Sequence, residues 1–170
     1  NIFFDNTDWP GTNTMFWRKR TEGFVPGADY GHDGRWRWAF HDLDDTFSFG
    51  SCEINHNNLA SATDPNGDPV WPNPSWSTLF LRRFLENPTF KNEFISRFAD
   101  LMNSHFILSR MVESVNTMMD VIEPEILGHA NRWKTLPNGM SDFHWYRNLY
   151  LDFSPQRHAF QPNHILAKFG

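Results

Sequence analysis

Hydrophobic and polar residues alternate in two short stretches among the first fifty positions. Segments 14–20 (TMFWRKR) and 35–40 (RWRWAF) switch between apolar and polar side chains, and turn-rich segments flank both of them. Alternation of this kind is typical of a half-buried strand, and two such runs separated by a turn region are typical of a hairpin. The pattern therefore predicts a β-hairpin with a long connecting loop.

The second half of the chain follows a helical spacing instead. Ser75 is a suitable N-cap for a helix over 76–87, and Pro88 ends that helix and begins the next. Pro124 predicts a break in the helical segment 108–133, and two shorter helices are expected at 140–154 and 154–170. In the segment 89–106 apolar residues recur at intervals of three and four, which predicts one buried helix face that includes Phe94, Phe98, Leu101 and Phe106.

Residues 51–75 separate the two halves and are dense in Asn, Asp, Pro and Gly, which predicts an irregular loop. Such a loop is longer than compact domains usually contain, and it suggests a lid or a surface flap. The 170 residues match the size of a single domain, which we place at 1–170. A small β-hairpin head followed by a helical body makes the predicted fold class α+β.

Composition and charge narrow the range of partners. The formal net charge of -5 argues against a nucleic-acid partner, and no apolar run approaches the roughly 20 residues of a membrane span. A single cysteine, Cys52, excludes an internal disulfide. The chain begins without Met, as an interior piece of a longer protein would, so we expect flanking domains.

Three carboxylates follow the second predicted strand in the segment GRWRWAFHDLDDTFSFG (34–50). Asp42 and Asp44 are two positions apart, so an extended chain would point both to the same face. Two carboxylates on one face are typical of a site for a hard cation such as Mg²⁺ or Ca²⁺. The alternative is a solvated loop with a capping aspartate, and Asp45 is interpreted as an outward or capping residue.

A second polar pair lies before the first strand, where Asp8 and Asn13 are separated by four residues that include a Pro-Gly turn. Taken alone, this is an ordinary polar turn. The order Asp, four residues, Asn, hairpin and then Asp is, however, that of kinase-type phosphoryl-transfer enzymes. In that chemistry the first Asp orients or accepts the hydroxyl proton, while the Asn and the last Asp hold a metal that neutralises phosphate charge.

Other candidate residues fit simpler interpretations. The eight histidines show no metal-ligand spacing, and His41 is either a packed strand residue or a support for Asp42. Trp36 and Trp38 indicate hairpin or core packing, with a sugar-stacking platform as the alternative. No Ser or Cys lies in a nucleophile-elbow motif.

Six segments spread along the whole chain match the pattern of one known family. They are DWPGTN (8–13), FWR (16–18), GRWRWAFHDLDDTFSFG (34–50), LFLRRFLENPTFKNEFISRFADLMNSHF (79–106), EPEILGHANRW (123–133) and LYLDFSPQRHAFQPNHILAKFG (149–170). The strand that ends in Asp-x-Asp and the helix with NPTFKNEFISRFADL are the most specific of them. Through these segments the chain resembles the CotH family of spore-coat-type atypical protein kinases.

That resemblance implies a protein-kinase-like C-terminal lobe and transfer of the ATP γ-phosphoryl group to Ser or Thr of a protein substrate. It implies Asp8 as the catalytic-loop aspartate, Asn13 as a metal-binding residue and Asp42 as the metal aspartate that anchors the nucleotide phosphates. Asp44 would be a further acidic ligand or an orienting group. The implied cofactors are ATP with Mg²⁺ or Mn²⁺, and the implied location is extracellular, at the cell surface or in the spore coat.

The chain departs from the ordinary kinase pattern because Asn6 and Thr7, rather than His-Arg, precede Asp8. No glycine-rich loop or upstream Lys is visible, so we expect the N-terminal lobe to be absent, this piece alone to be inactive, and Ile2, Phe3, Phe4 and Trp9 to form an exposed apolar patch. The alternative from another class is a non-catalytic surface or adhesion module that keeps the fold. A metal-dependent phosphoesterase is a third possibility, weakened by the lack of His ligands.

Overall fold

The computed structural model describes residues 1–48, 53–67 and 73–170. One antiparallel hairpin and a mainly helical remainder confirm the predicted α+β class. The elements of the described residues are β1 (Met15–Trp17), β2 (Arg37–Ala39), α1 (Asn58–Ser61), α2 (Leu79–Glu86), α3 (Pro88–Ser104), α4 (Leu108–Ile122), a 3₁₀ turn (Glu123–Glu125), α5 (Ile126–Trp133) and α6 (Met140–Phe169).

The hairpin forms where the alternation predicts it, although its paired strands are shorter. Met15 lies opposite Ala39 and Trp17 lies opposite Arg37. The aromatic residues of this hairpin are not core: Trp36 and Trp38 are about half exposed, and both rings contact Phe16. Because the sheet has only two strands, its faces stay largely open and the rings cover each other.

Asp33 holds the end of the connecting loop next to β2. Its carboxylate accepts hydrogen bonds from Arg37 Nη1 at 2.8 Å and Nη2 at 2.9 Å, and from Arg35 Nε at 2.7 Å. The hydrogen bond from Arg37 makes the largest contribution to lowering the pKa of Asp33 far below its ordinary value. Gly34, with φ of 79°, makes the turn between Asp33 and Arg35, where a side chain would collide with Thr21.

The boundary between α2 and α3 is the one that the sequence predicts. The Asn87 side chain accepts hydrogen bonds from the backbone N–H groups of Thr89 at 2.9 Å and Phe90 at 3.2 Å, and Pro88 occupies the first helical position, where no N–H is needed. The predicted start at Ser75 is wrong, because α2 begins at Leu79. The segment before it folds as turns, in which the Ser77 N–H donates to the Pro74 carbonyl at 2.9 Å.

The helix break predicted at Pro124 is confirmed by the 3₁₀ turn between α4 and α5. The two helices predicted at 140–154 and 154–170 are instead one helix of 30 residues, α6, with Pro155 and Pro162 inside it. Each proline removes one backbone hydrogen bond. Burial of Phe153, Ser154, Arg157 and Gln161 along α6 supplies contacts that outweigh the loss.

The hydrophobic core lies between the N-terminal segment and helices α3, α4 and α6. Phe3, Met102, Met111 and Phe153 form its buried centre, and the Phe3 ring stacks on Phe106 with 4.2 Å between ring centroids. Ile2 and Phe3 are therefore buried, at 8% and 2% exposure, and the prediction that they are exposed is wrong. Phe4 and Trp9 are half-buried.

The predicted apolar face of α3 is only half-buried. Phe94, Phe98, Leu101 and Phe106 are intermediate in exposure rather than fully enclosed. They line one side of an apolar cavity of about 410 Å³ that Trp9, Pro10 and Trp38 border on the other. The face is thus shared between the core, which Phe98 and Phe106 contact, and this cavity.

The long loop predicted over 51–75 contains ordered structure where it is described. Helix α1 lies within it, and Gly67 pairs with Pro74 in an isolated antiparallel bridge. Residues 49–52, including Cys52, and 68–72 lie outside the described residues. Across the described ranges, no helix has both the length and the apolar character that crossing a bilayer requires.

Candidate functional site

A tight turn brings Asp8 and Asn13 together. The Asp8 carbonyl accepts from the Thr12 N–H at 2.8 Å and from Thr12 Oγ1 at 2.9 Å, which closes the turn around Pro10 and Gly11. Asn13 then adopts a left-handed backbone with φ of 53°, a conformation that Asn tolerates better than most residues. As a result, Asn13 Nδ2 donates to Asp8 Oδ2 at 3.3 Å.

Two asparagines that the sequence did not mark position this turn. Asn73, which is 8% exposed, accepts from the Gly11 N–H at 2.7 Å and donates to the Thr7 carbonyl, so one side chain joins both ends of the turn. Asn6 is fully buried, and its Oδ1 accepts from the Asp8 N–H at 3.2 Å. Asn73 lies more than sixty positions away from its partners, so local spacing carries no signal for it.

The acidic segment that follows β2, residues 42–45, reaches the same turn, although not as an extended strand. Asp42 lies beyond the end of β2 with φ of 49°, so the alternation that would put Asp42 and Asp44 on one face does not continue there. Both side chains are exposed. Asp45, which was interpreted as an outward or capping residue, is half-buried, and its Oδ2 accepts a hydrogen bond from Thr7 Oγ1. Thr7 and Asp45 therefore link the Asp8 turn to the acidic segment.

Burial and the charges of the three carboxylates that follow β2 both act on the pKa of Asp8. Burial raises the pKa of the Asp8 carboxyl above its ordinary value, and the negative charge of Asp45 raises it further. The hydrogen bond from Asn13 lowers this pKa again, and smaller repulsions from Asp44 and Asp42 raise it. Asp8 therefore holds a proton more readily than an isolated aspartate, as suits a group that accepts or orients a proton.

The donor set at this site is chemically suited to Mg²⁺ or Mn²⁺. Asn13 uses its amide nitrogen on Asp8, which leaves Oδ1 as an oxygen donor, and Asp42 and Asp44 add exposed carboxylates. Within the described ranges, no three His, Cys, Asp or Glu side chains are grouped closely enough to hold a metal by themselves. Mg²⁺ in nucleotide sites usually binds one or two carboxylates and fills its other positions with phosphate and water. Whether Asn13 and Asp42 reach the same ion stays a prediction.

A buried ionic network lies beneath the site. Arg157 on α6 is fully enclosed, and its guanidinium donates to the carbonyls of Phe3 at 2.8 Å, Ile2 at 2.9 Å, Ile54 at 2.9 Å and His56 at 2.6 Å. The same group lies 3.4 Å from Asp5 Oδ1. Arg157 thus ties the segment that leads into Asp8 to α6. No pattern in the sequence predicts that this arginine is buried, since most arginines stay at the surface.

The apolar cavity borders the site through Trp9 and Pro10, which lie between Asp8 and Asn13 in the chain. Its other walls come from α2 and α3, including Phe80, Phe84 and Phe90. Polar contacts to Asn73 and Asn6 thus hold the Asp8 turn, and its Trp9 and Pro10 face the apolar cavity.

Comparison with known proteins gives one family. A family model described as CotH kinase protein matches residues 1–160, which is most of the 170-residue chain. No curated protein and no solved structure matches the chain.

Proposed function

Since the chain belongs to the CotH kinase family, we propose that it supplies the catalytic turn and the metal-binding residues of a phosphotransferase that moves the ATP γ-phosphoryl group to Ser or Thr of a protein. The observation that carries this proposal is the contact between Asn13 Nδ2 and Asp8 Oδ2 beside the acidic segment 42–45. The protein-kinase-like C-terminal lobe is part of the proposal, and it is supported by the order of the turn, the hairpin and the acidic segment.

Asp8 is the proposed group that orients the acceptor hydroxyl and receives its proton. Its backbone is held by Asn6 and Thr12, and its carboxylate is aimed by Asn13, so the geometry is set before a substrate arrives. Burial, and after it the charge of Asp45, raises the pKa of Asp8, which favours acceptance of the proton from the acceptor hydroxyl.

Asn13 and Asp42 are the proposed metal-binding residues, and Asp42 is also the proposed anchor for the nucleotide phosphates through that metal. Asp44 adds a carboxylate or orients a ligand. A bound Mg²⁺ or Mn²⁺ would supply positive charge that neutralises the phosphates. Without such a charge, the carboxylates of the acidic segment would repel an approaching triphosphate. Asp45 holds the segment to the turn through Thr7.

The proposed setting is the spore coat or another extracellular or cell surface, with a protein rich in Ser or Thr as the acceptor. This part of the proposal is supported by the family alone. A non-catalytic surface module that keeps the fold is the alternative, and the following experiment separates the two.

The test uses the full-length protein with labelled ATP, Mn²⁺ and a Ser-rich acceptor. Asp8→Asn keeps the size of the side chain and an oxygen for Asn13, so it should lose phosphate transfer by at least about 100-fold while nucleotide binding is retained. Asp42→Asn should lose both transfer and metal-dependent nucleotide binding.

Asp100→Asn, an exposed aspartate on α3, is the matched control and should leave both properties unchanged. Transfer by Asp8→Asn at the wild-type rate would remove Asp8 from its proposed role. Absence of both nucleotide binding and transfer in the wild-type protein would favour the non-catalytic module.

A further inference from the structure

Three side chains apart from the Asp8 turn form a hydrogen-bonded relay. His56 Nδ1 lies 2.8 Å from Asp5 Oδ1, and His56 Nε2 lies 2.9 Å from Ser61 Oγ. The three residues come from separate elements: the N-terminal segment, the loop before α1, and the last turn of α1. A carboxylate that orients a histidine, which in turn contacts a hydroxyl, is the arrangement that activates a nucleophile.

The contacts of Asp5 indicate which ring nitrogen of His56 carries the proton. Asp5 is 1% exposed, and its Oδ1 accepts a hydrogen bond from Arg157 Nη2 at 3.4 Å. A carboxylate only accepts hydrogen bonds, so Nδ1 of His56 carries the proton in that contact. In the neutral imidazole Nε2 is then an acceptor, and the Ser61 hydroxyl donates to it. Ser61 therefore already points its proton at a base.

Access to this relay increases from Asp5 to Ser61. The Asp5 side chain is fully enclosed, the His56 side chain is 29% exposed, and Ser61 is exposed. His56 is also held from the other side, because its carbonyl accepts from Arg157 Nη1 at 2.6 Å. The nucleophile is thus open to solvent while its base and orienting group are fixed.

The geometry points to Ser61 as an activated nucleophile that takes the acyl group of an activated ester. In the step, a bond forms between Ser61 Oγ and the acyl carbon, and the bond from that carbon to the leaving oxygen breaks. The Ser61 proton moves to His56 Nε2 and then to the leaving oxygen. This activity is independent of the proposed phosphate transfer and uses none of Asp8, Asn13 or Asp42.

The surrounding backbone limits the reaction to single acylation rather than turnover. The N–H groups of Ser61, Ala62, Thr63 and Asp64 already donate to the carbonyls of Asn57, Asn58, Ala60 and Ser61. None of these four amides is therefore available to stabilise the oxyanion of a tetrahedral intermediate, a contribution worth about 100-fold to 1,000-fold in rate. We expect a nucleophile that reacts stoichiometrically with strong electrophiles.

The test treats the 170-residue chain with an alkyl fluorophosphonate, in which Ser61 Oγ displaces fluoride from phosphorus and His56 takes the proton. Intact mass should show a single adduct, and peptide mapping should place it on Ser61. Ser104 is the internal control: its Oγ also lies 2.9 Å from a histidine ring, but it donates to the Asp100 carbonyl at 2.6 Å and should stay unlabelled.

His56→Gln should lower the labelling rate at Ser61 by about 100-fold or more, and Ser61→Ala should abolish the adduct. Asp5→Asn should also slow labelling, with circular dichroism verifying the fold, since this variant disturbs Arg157. Because wild-type labelling is compared between Ser61 and Ser104, the proposal can be tested even if Asp5→Asn unfolds. Equal labelling of the two serines, or labelling of Ser61 that His56→Gln leaves unchanged, would overturn it.

Discussion

The side chain of Asp45 accepts a hydrogen bond from the Thr7 hydroxyl, although the two residues are 38 positions apart. This contact places the end of the acidic segment against the residue that precedes Asp8. It makes Asp45 the carboxylate with the largest repulsive effect on Asp8. The two halves of the candidate site are thus joined through a residue that has no proposed part in binding the metal.

Asp45→Asn should lower the pKa of Asp8 toward its ordinary value. The change removes the strongest charge repulsion while an amide oxygen remains to accept from Thr7. Carboxyl ¹³C chemical shifts followed by NMR during a pH titration would measure the effect. Asp44→Asn is the matched variant and should lower the pKa less, since its repulsion is smaller. A larger effect of Asp44→Asn would contradict this picture of the site.

Asp8→Asn should stabilise the protein at neutral pH relative to acid pH. Because the pKa of Asp8 is raised on folding, the proton favours the folded state below the ordinary Asp value of about 4, and this stability is lost as pH rises through the raised pKa. The melting temperature of Asp8→Asn relative to wild type should therefore increase from pH 3 to pH 7. A difference that is constant across this range would show that Asp8 is not perturbed.

The ion pairs of Asp33 with Arg37 and Arg35 should contribute to stability with the opposite pH dependence. Arg37 and Arg35 lower the pKa of Asp33, so its contribution to stability is present above the ordinary Asp value and is lost as pH falls toward the lowered pKa. Arg37→Gln should lower the melting temperature at pH 7, and the difference from wild type should shrink in strong acid. Arg20→Gln, in the exposed connecting segment, is the control and should change little.

Arg157→Met should destabilise the fold by about 3–5 kcal/mol, because it leaves Asp5 as an uncompensated buried charge. The carbonyls of Ile2, Phe3, Ile54 and His56 would also lose a donor. Urea unfolding measures the free energy. The exposed Arg110→Met on α4 is the control, and a loss below about 1 kcal/mol for Arg157→Met would mean that the network is not a major support.

The core and the cavity wall should differ in their response to truncation. Phe3→Ala removes a fully buried ring and should cost about 3–5 kcal/mol. Phe98 is half-buried beside the apolar cavity, so Phe98→Ala should cost less, about 2 kcal/mol. Chemical denaturation of both variants gives the comparison. An equal or larger loss of unfolding free energy for Phe98→Ala would mean that the Phe98 ring is fully enclosed in solution and that the cavity beside it is closed.

The sequence by itself determined the features that depend on neighbours along the chain. Strand alternation indicated the hairpin, and the intervals of three and four indicated α3, because a local backbone repeat sets both patterns. Asn87 and Pro88 marked a helix start for the same local reason. The order of Asp8, Asn13 and Asp42 around the hairpin was likewise readable, since a hairpin returns the chain to the place where it began.

Only the tertiary structure decided which side chains meet across long separations. Arg157 donates to the Ile2 carbonyl, 155 positions away. This packing of the N-terminal segment against α6 makes burial of the arginine favourable, although arginine is usually exposed. The same packing keeps α6 continuous through Pro155, because the contacts along the helix outweigh the lost hydrogen bond. His56 meets Asp5, which is 51 positions away, only after these elements have packed. A sequence pattern shows the repeat of the local backbone, whereas the pairing of distant residues depends on how all the elements pack around the core.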